Sequence, residues 1–170
     1  MPVPFKKFLQ SLTEEELRDE LHLLYKRFPQ LREYYAVELS ERPGEVLDKY
    51  KRKLRRAFFP TRGRGKRGRS QSRTILRDFR AINDRSRDLT ELYFYRAELL
   101  AEYAVTHRRD SDAFLNSVTT AFTEACSLAH EHVLLDEFRP GAEALARKYN
   151  RPERLRRLSL WGVYREWFGG

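Results

Sequence analysis

The chain has only one cysteine, Cys126, among its 170 residues. A lone cysteine excludes an internal disulfide and is typical of proteins in a reducing cytoplasm. No run of 18 apolar residues occurs, so the sequence predicts no membrane-spanning helix. The opening residues, MPVPFKK, lack the apolar centre of a secretory signal. These absences predict a cytoplasmic protein that has no membrane partner.

Strand patterns are also missing, because no segment alternates apolar and polar residues between hairpin turns. Apolar residues recur instead at helical spacing along most of the chain. The sequence therefore predicts an all-α fold, a single domain over residues 1–170 with about seven or eight helices. Short connections favour antiparallel hairpins, packed as a bundle or as a short superhelical stack. The sequence does not specify an oligomeric state.

The start of one helix is predicted from its capping residues. Thr13 and Glu16 have the spacing of a capping box, and Leu12 and Leu17 that of a hydrophobic staple. The residues that follow form an apolar stripe at helical spacing, namely Leu17, Leu21, Leu24, Tyr25 and Phe28. Pro29 ends this helix or begins the next one.

Acidic residues are absent from Lys49 to Arg77, where 13 Lys and Arg residues lie. Outside this stretch, 21 basic residues stand against 25 acidic ones, so the net charge of +9 comes from this one region. Concentrated positive charge attracts polyanions. The predicted polyanion-binding residues are Lys49, Lys51, Arg52, Lys53, Arg55, Arg56, Arg62, Arg64, Lys66, Arg67, Arg69, Arg73 and Arg77.

This basic region has three predicted parts. A basic helix reaches Phe58 and is held to the core by its apolar side. Residues 60–69 are rich in Arg and Gly and predict a flexible loop, since they have almost nothing to bury. A further helix, capped by Ser70 or Ser72, carries Arg73, Arg77 and also Arg80.

Residues 63–68 match the pattern G-x-G-x-x-G. A dinucleotide site is excluded because no strand precedes the pattern. An Arg/Gly tract instead grips phosphates and stacks on bases. We therefore expect a non-enzymatic accessory protein that binds the nucleic-acid backbone, with RNA preferred over DNA because no DNA-binding motif is present. The alternative is a helical adaptor that binds an acidic protein through the same face.

Catalytic and metal sites have weak candidates. Glu98, Glu102 and His107 would serve acid–base chemistry only if they faced a cleft, and ion pairs on a solvated face are favoured. Cys126 and His130 share a helix face, but too few ligands accompany them, so a buried structural thiol is favoured over a metal site. The sequence predicts no catalytic residue, no metal and no cofactor.

Aromatic residues crowd the C-terminus. Trp161 and Tyr164 are predicted to close the core, whereas Trp167 and Phe168 are predicted to stay partly exposed as contact residues.

Three segments of the chain resemble an uncharacterised bacterial family of small helical proteins. They are Phe8-Leu9-x-x-Leu12-Thr13-x-Glu15-Glu16-Leu17, then Leu24-Tyr25-Lys26-Arg27-Phe28-Pro29 followed by Glu33-Tyr34-Tyr35, and Tyr50-Lys51-x-Lys53-x-x-x-x-Phe58-Phe59-Pro60. The resemblance implies an all-α bacterial cytoplasmic protein and implies no catalytic activity. The Arg-rich loop departs from the family pattern.

Overall fold

The computed structural model describes residues 3–39, 44–63, 68–149 and 160–169. Throughout these ranges the regular elements are α-helices, without a strand, so the predicted all-α fold class is confirmed. The nine helices of the described residues are α1 (Val3–Ser11), α2 (Glu14–Arg27), α3 (Pro29–Glu38), α4 (Glu45–Phe58), α5 (Gly68–Arg80), α6 (Ser86–Thr106), α7 (Asp112–Glu131), α8 (Leu135–Tyr149) and α9 (Leu160–Phe168).

The chain divides into two compact units. The N-terminal unit is Met1–Arg42 and the C-terminal unit is Pro43–Gly170. The single domain over residues 1–170 stays a prediction.

The N-terminal unit contains α1, α2 and α3. The predicted capping box at the start of α2 is present: the Thr13 hydroxyl accepts from the backbone N–H of Glu16, and the Glu16 carboxylate accepts from that of Thr13 at 2.7 Å. This carboxylate bond lowers the pKa of Glu16. Val37 is the one buried hydrophobic side chain among the described residues of this unit. The apolar stripe of α2 is therefore formed as predicted but is only partly covered.

The C-terminal unit has its core around α6 and α7, which the turn 107–111 joins. Helices α4 and α5 pack on each other and on α6, while α8 and α9 pack on α7 and on each other. The apolar side of α4, predicted from its spacing, reaches this core through Leu54 and Phe58, both at most 1% exposed. The core thus fixes the position of α5 beside α6.

One helix and one helix boundary differ from the sequence prediction. Helix α1 was not predicted, because the sequence has prolines at residues 2 and 4 and proline usually argues against a helix. Proline is tolerated in the first turn of a helix, which is where Pro4 lies. Helix α5 begins at Gly68 rather than at a serine cap, so Gly68 and Arg69, predicted in the loop, are helical. At Gly68, helix α5 approaches helix α4 so closely that an added Cβ would lie 2.5 Å from the Phe58 ring.

Two further predictions concern helix starts and breaks in the C-terminal part of the chain. Pro140, predicted to interrupt or start a helix, lies inside a continuous α8. The predicted start of the last helix at residues 150–153 lies outside the described residues. Across the part of the chain that the structure describes, no helix is both long and apolar enough to cross a membrane.

Candidate functional site

The 13 predicted binding residues are distributed over four places. Six of them lie on α4, Arg62 follows that helix, and Arg69, Arg73 and Arg77 lie on α5. Arg64, Lys66 and Arg67 lie outside the described residues. Some described residues of the set bind firmly within the protein, and others remain exposed.

Two basic residues of α4 are held by carboxylates of α6. Lys51 donates to Glu91, and both side chains are about three-quarters buried. Arg55 donates to the two oxygens of Glu102 in a fork, at 2.9 and 3.1 Å. The hydrogen bond to Glu102 raises the pKa of Arg55 above its ordinary value. These two ion pairs join α4 to α6 and neutralise part of the basic helix.

Arg69 joins α5 to α7. Its guanidinium donates to the carbonyl oxygen of Ala113 at 3.2 Å and to the Ser117 hydroxyl at 3.1 Å. The same group lies 5.2 Å from the centre of the Phe114 ring. Arg69 therefore already makes contacts within the fold that an external anion would have to displace.

The other described arginines of the set are exposed. Arg52, Arg56, Arg62 and Arg73 have neither a hydrogen bond nor an ion pair among the described residues. Arg77 has one ion-pair contact, 3.5 Å from Asp78, and both side chains are more than half exposed. Such an exposed pair contributes little. The ammonium of Lys53 lies 4.1 Å over the ring of Tyr50. Exposed positive charge is thus present on α4 and on α5.

An open groove of about 750 Å³ runs beside α5. One side is lined by Arg73, Arg77 and Arg80, which recur at i, i+4 and i+7 and so share one helix face. Thr120 and Thr123 of α7 also line it, and their hydroxyls make no hydrogen bond among the described residues. The groove therefore combines guanidinium groups with available hydroxyls, a set suited to phosphate oxygens.

The groove also contains a buried arginine, which sequence reasoning did not assign to the site. Arg96 of α6 is 4% exposed and donates to Ser72 at 3.2 Å and to Glu124 at 2.8 Å. Glu124 neutralises it, so Arg96 positions the groove wall rather than adding attraction. The sequence does contain a signal for this buried arginine, because Arg96 lies on an apolar face of its helix and a buried charge requires a partner. Glu131 is a second carboxylate in the lining.

The carboxylates of α6 are ion-paired, as the sequence favoured. Glu98 accepts from Lys148 at 3.0 Å, and Glu102 holds Arg55. His107 instead contacts the ring of Tyr103, 4.3 Å away between centres. Glu98, Glu102 and His107 thus each have a structural partner. In the described ranges, no group of three His, Cys, Asp or Glu side chains has the arrangement needed to hold a metal ion.

Cys126 is fully buried on α7, in agreement with the predicted structural thiol. Burial, with a smaller contribution from the charge of Glu166, raises its pKa from the ordinary 9.0 to about 12. The thiolate is scarce at neutral pH, so we expect a thiol-reactive disulfide to label the native chain at least about a hundredfold more slowly than the chain in guanidinium. Absorbance of the released thiolate measures both rates at pH 8, and equal rates would contradict the burial. Because the folded pKa is raised, this group stabilises the fold below pH 9 and ceases to do so as the pH rises towards 12.

The C-terminal aromatic residues agree only in part with the prediction: Tyr164 is buried as predicted, but Trp161, predicted to close the core, is half-buried. Phe168 is 2% exposed, so the prediction that it is a contact residue is wrong. Its ring stacks on Tyr164 at 5.0 Å, and its carbonyl oxygen accepts from Arg139. Trp167 is half-buried at the edge of the groove, and its indole N–H has no hydrogen-bond partner among the described residues. Of the two predicted contact residues, only Trp167 is near the groove.

Comparison with known proteins places most of this sequence in one family. Residues 3–155 match a family described as "Family of unknown function (DUF6155)". No curated protein and no solved structure gives a significant match to the chain.

Proposed function

We propose that this chain, which belongs to the DUF6155 family of unknown function, is a non-enzymatic accessory protein that binds the phosphate backbone of nucleic acid. The observation that carries the proposal is the row of Arg73, Arg77 and Arg80, exposed along an open groove. We place its action in the bacterial cytoplasm, in keeping with the single cysteine and with the family resemblance.

The chemistry of the groove favours phosphate over other anions. Arginine presents a planar fork that matches two oxygens of one phosphate. From Arg73 to Arg80 the helix rises about 10 Å, so the three forks reach successive positions along a strand rather than one point. Hydroxyls of Thr120 and Thr123 are available to donate to the remaining oxygens.

The size of the groove favours a single strand over a duplex. A volume of about 750 Å³ lies within the range of clefts that hold small ligands or short segments. A helix that reads duplex DNA enters the major groove as a protruding element, whereas here the arginines line a recess. Single-stranded RNA is therefore the preferred ligand, and contacts limited to phosphate imply little sequence specificity.

The proposed site is narrower than the one that the sequence predicted. Lys51, Arg55 and Arg69 are engaged within the fold and are left out of it. Arg52 and Arg56 of α4 and Arg62 remain exposed and extend the positive surface. They would attract a strand at longer range, and the groove would hold it.

A salt titration tests the proposal. We expect the nuclease-treated, purified chain to bind a short fluorescent single-stranded RNA, with a log–log slope of affinity against salt of about −2 to −4 between about 50 and 200 mM. Fluorescence anisotropy measures the affinity, and unlabelled duplex of equal length is the competitor. Absence of binding to RNA and DNA at the lowest salt would end the proposal. If an acidic protein remained bound in a pull-down after nuclease treatment, the adaptor alternative would replace it.

A further inference from the structure

The apolar face of α2 is only partly covered. Leu17, Leu21 and Tyr25 of this helix, and Phe28 at its C-cap, are 38% to 44% exposed, and the helix has no buried residue. Of the ten large hydrophobic side chains exposed among the described residues, nine belong to the N-terminal unit. A unit of about 40 residues without a disulfide or a covered core is too small to be stable alone. This face therefore requires a partner surface.

The spacing on α2 indicates that the partner surface is another helix. Leu17, Leu21, Leu24 and Phe28 follow one another at intervals of four, three and four residues. That is the alternation of the d and a positions of a heptad, the seam along which two helices pack side by side. Leu23 lies off this seam although it is 53% exposed.

The distribution of charge along α2 indicates which helix could be the partner. The first half carries one basic residue, Arg18, which pairs with Glu14, against five acidic residues, and the last turn is basic with Lys26 and Arg27. The acidic residues are Glu14, Glu15, Glu16, Asp19 and Glu20. A parallel pair of α2 helices would set acid against acid, whereas an antiparallel pair sets the acidic half of each against the basic turn of the other. The helix dipoles also favour the antiparallel arrangement.

We propose that two copies of this chain form a homodimer through antiparallel pairing of their α2 helices. In this register Leu17 of one copy packs on Phe28 of the other, and Leu21 packs on Leu24. Glu20 and Arg27, on the same flank of the seam, then pair across the twofold axis. Neither has an ion-pair partner within the described part of its own chain. Because a twofold contact is self-complementary, one helix supplies both halves of every pair.

This proposal is independent of the groove and is tested on the full chain. Sedimentation velocity over a concentration series measures the association. We expect the wild type to be a dimer at about 10 μM and Leu21→Glu to weaken association by at least about a hundredfold. Leu23→Glu is the matched control, since it removes an even more exposed leucine outside the seam, and we expect its dimer to persist.

A charge exchange provides a second test that does not alter the seam. Glu20→Arg and Arg27→Glu should each weaken association by about tenfold, because each sets like charges together twice in one dimer. The double variant restores opposite charges and should regain wild-type association, with helicity checked by circular dichroism. A wild type that stays monomeric at about 100 μM would overturn the proposal. So would a double variant no better than its singles, or a Leu23→Glu chain as monomeric as Leu21→Glu.

Discussion

Replacing Arg73, Arg77 and Arg80 together by glutamine is expected to weaken binding of single-stranded RNA by at least about a hundredfold. Each arginine is expected to make one charge-assisted phosphate contact, which contributes about 1–2 kcal/mol. Loss of three such contacts on a single strand also makes the salt slope shallower by about two. Glutamine keeps a long polar side chain and a similar helix propensity, so α5 should stay folded.

The control for this variant removes the same charge elsewhere. Arg85, Arg108 and Arg109 are exposed and do not line the groove. Their joint replacement by glutamine lowers the net charge by three as well, yet it should change affinity by less than about threefold. Equal losses in the two triple variants would show that only overall charge matters and would remove the groove from the site.

Glu124→Ala is expected to destabilise the fold by about 2–3 kcal/mol, although the Glu124 side chain is 45% exposed. The reason is its partner, since Arg96 is 4% exposed and would keep its charge with only the Ser72 hydroxyl as an acceptor. Loss of a buried partner costs about 3–5 kcal/mol in fully buried pairs, and exposure of Glu124 reduces that figure.

Replacing the arginine of this pair instead of the carboxylate should destabilise the fold less. Arg96→Met removes the buried charge itself and leaves Glu124 able to return to water, so a loss of about 1 kcal/mol is expected. The double variant should resemble Arg96→Met alone, and Glu131→Ala, at another carboxylate of the same helix, should stay within about 0.5 kcal/mol of wild type. Urea unfolding followed by circular dichroism measures all four. A Glu124→Ala chain no less stable than Glu131→Ala would contradict the role of the pair.

The helices of the C-terminal unit were largely predictable because their apolar residues recur with the helical period. Leu47, Tyr50, Leu54 and Phe58 are all buried on α4. In the N-terminal unit, the capping box correctly predicted Thr13 as the N-cap of α2. The start of α5 was less predictable. Gly68 lies at a close approach to the Phe58 ring on the neighbouring helix α4, and no local capping signal indicates that packing contact.

Composition by itself determined the sign of the candidate site and its place in the chain, because net charge is a sum over residues and needs no structure. Periodicity by itself determined the all-α class, because side chains of one helix face recur in the sequence. Only the tertiary structure decided which arginines remain available. Arg55 and Arg69 find partners 47 and 44 residues away, whereas Arg73 faces an open groove. An ion pair between two helices depends on which helices are neighbours and on how each is rotated about its axis. The local sequence around each arginine contains no information on either.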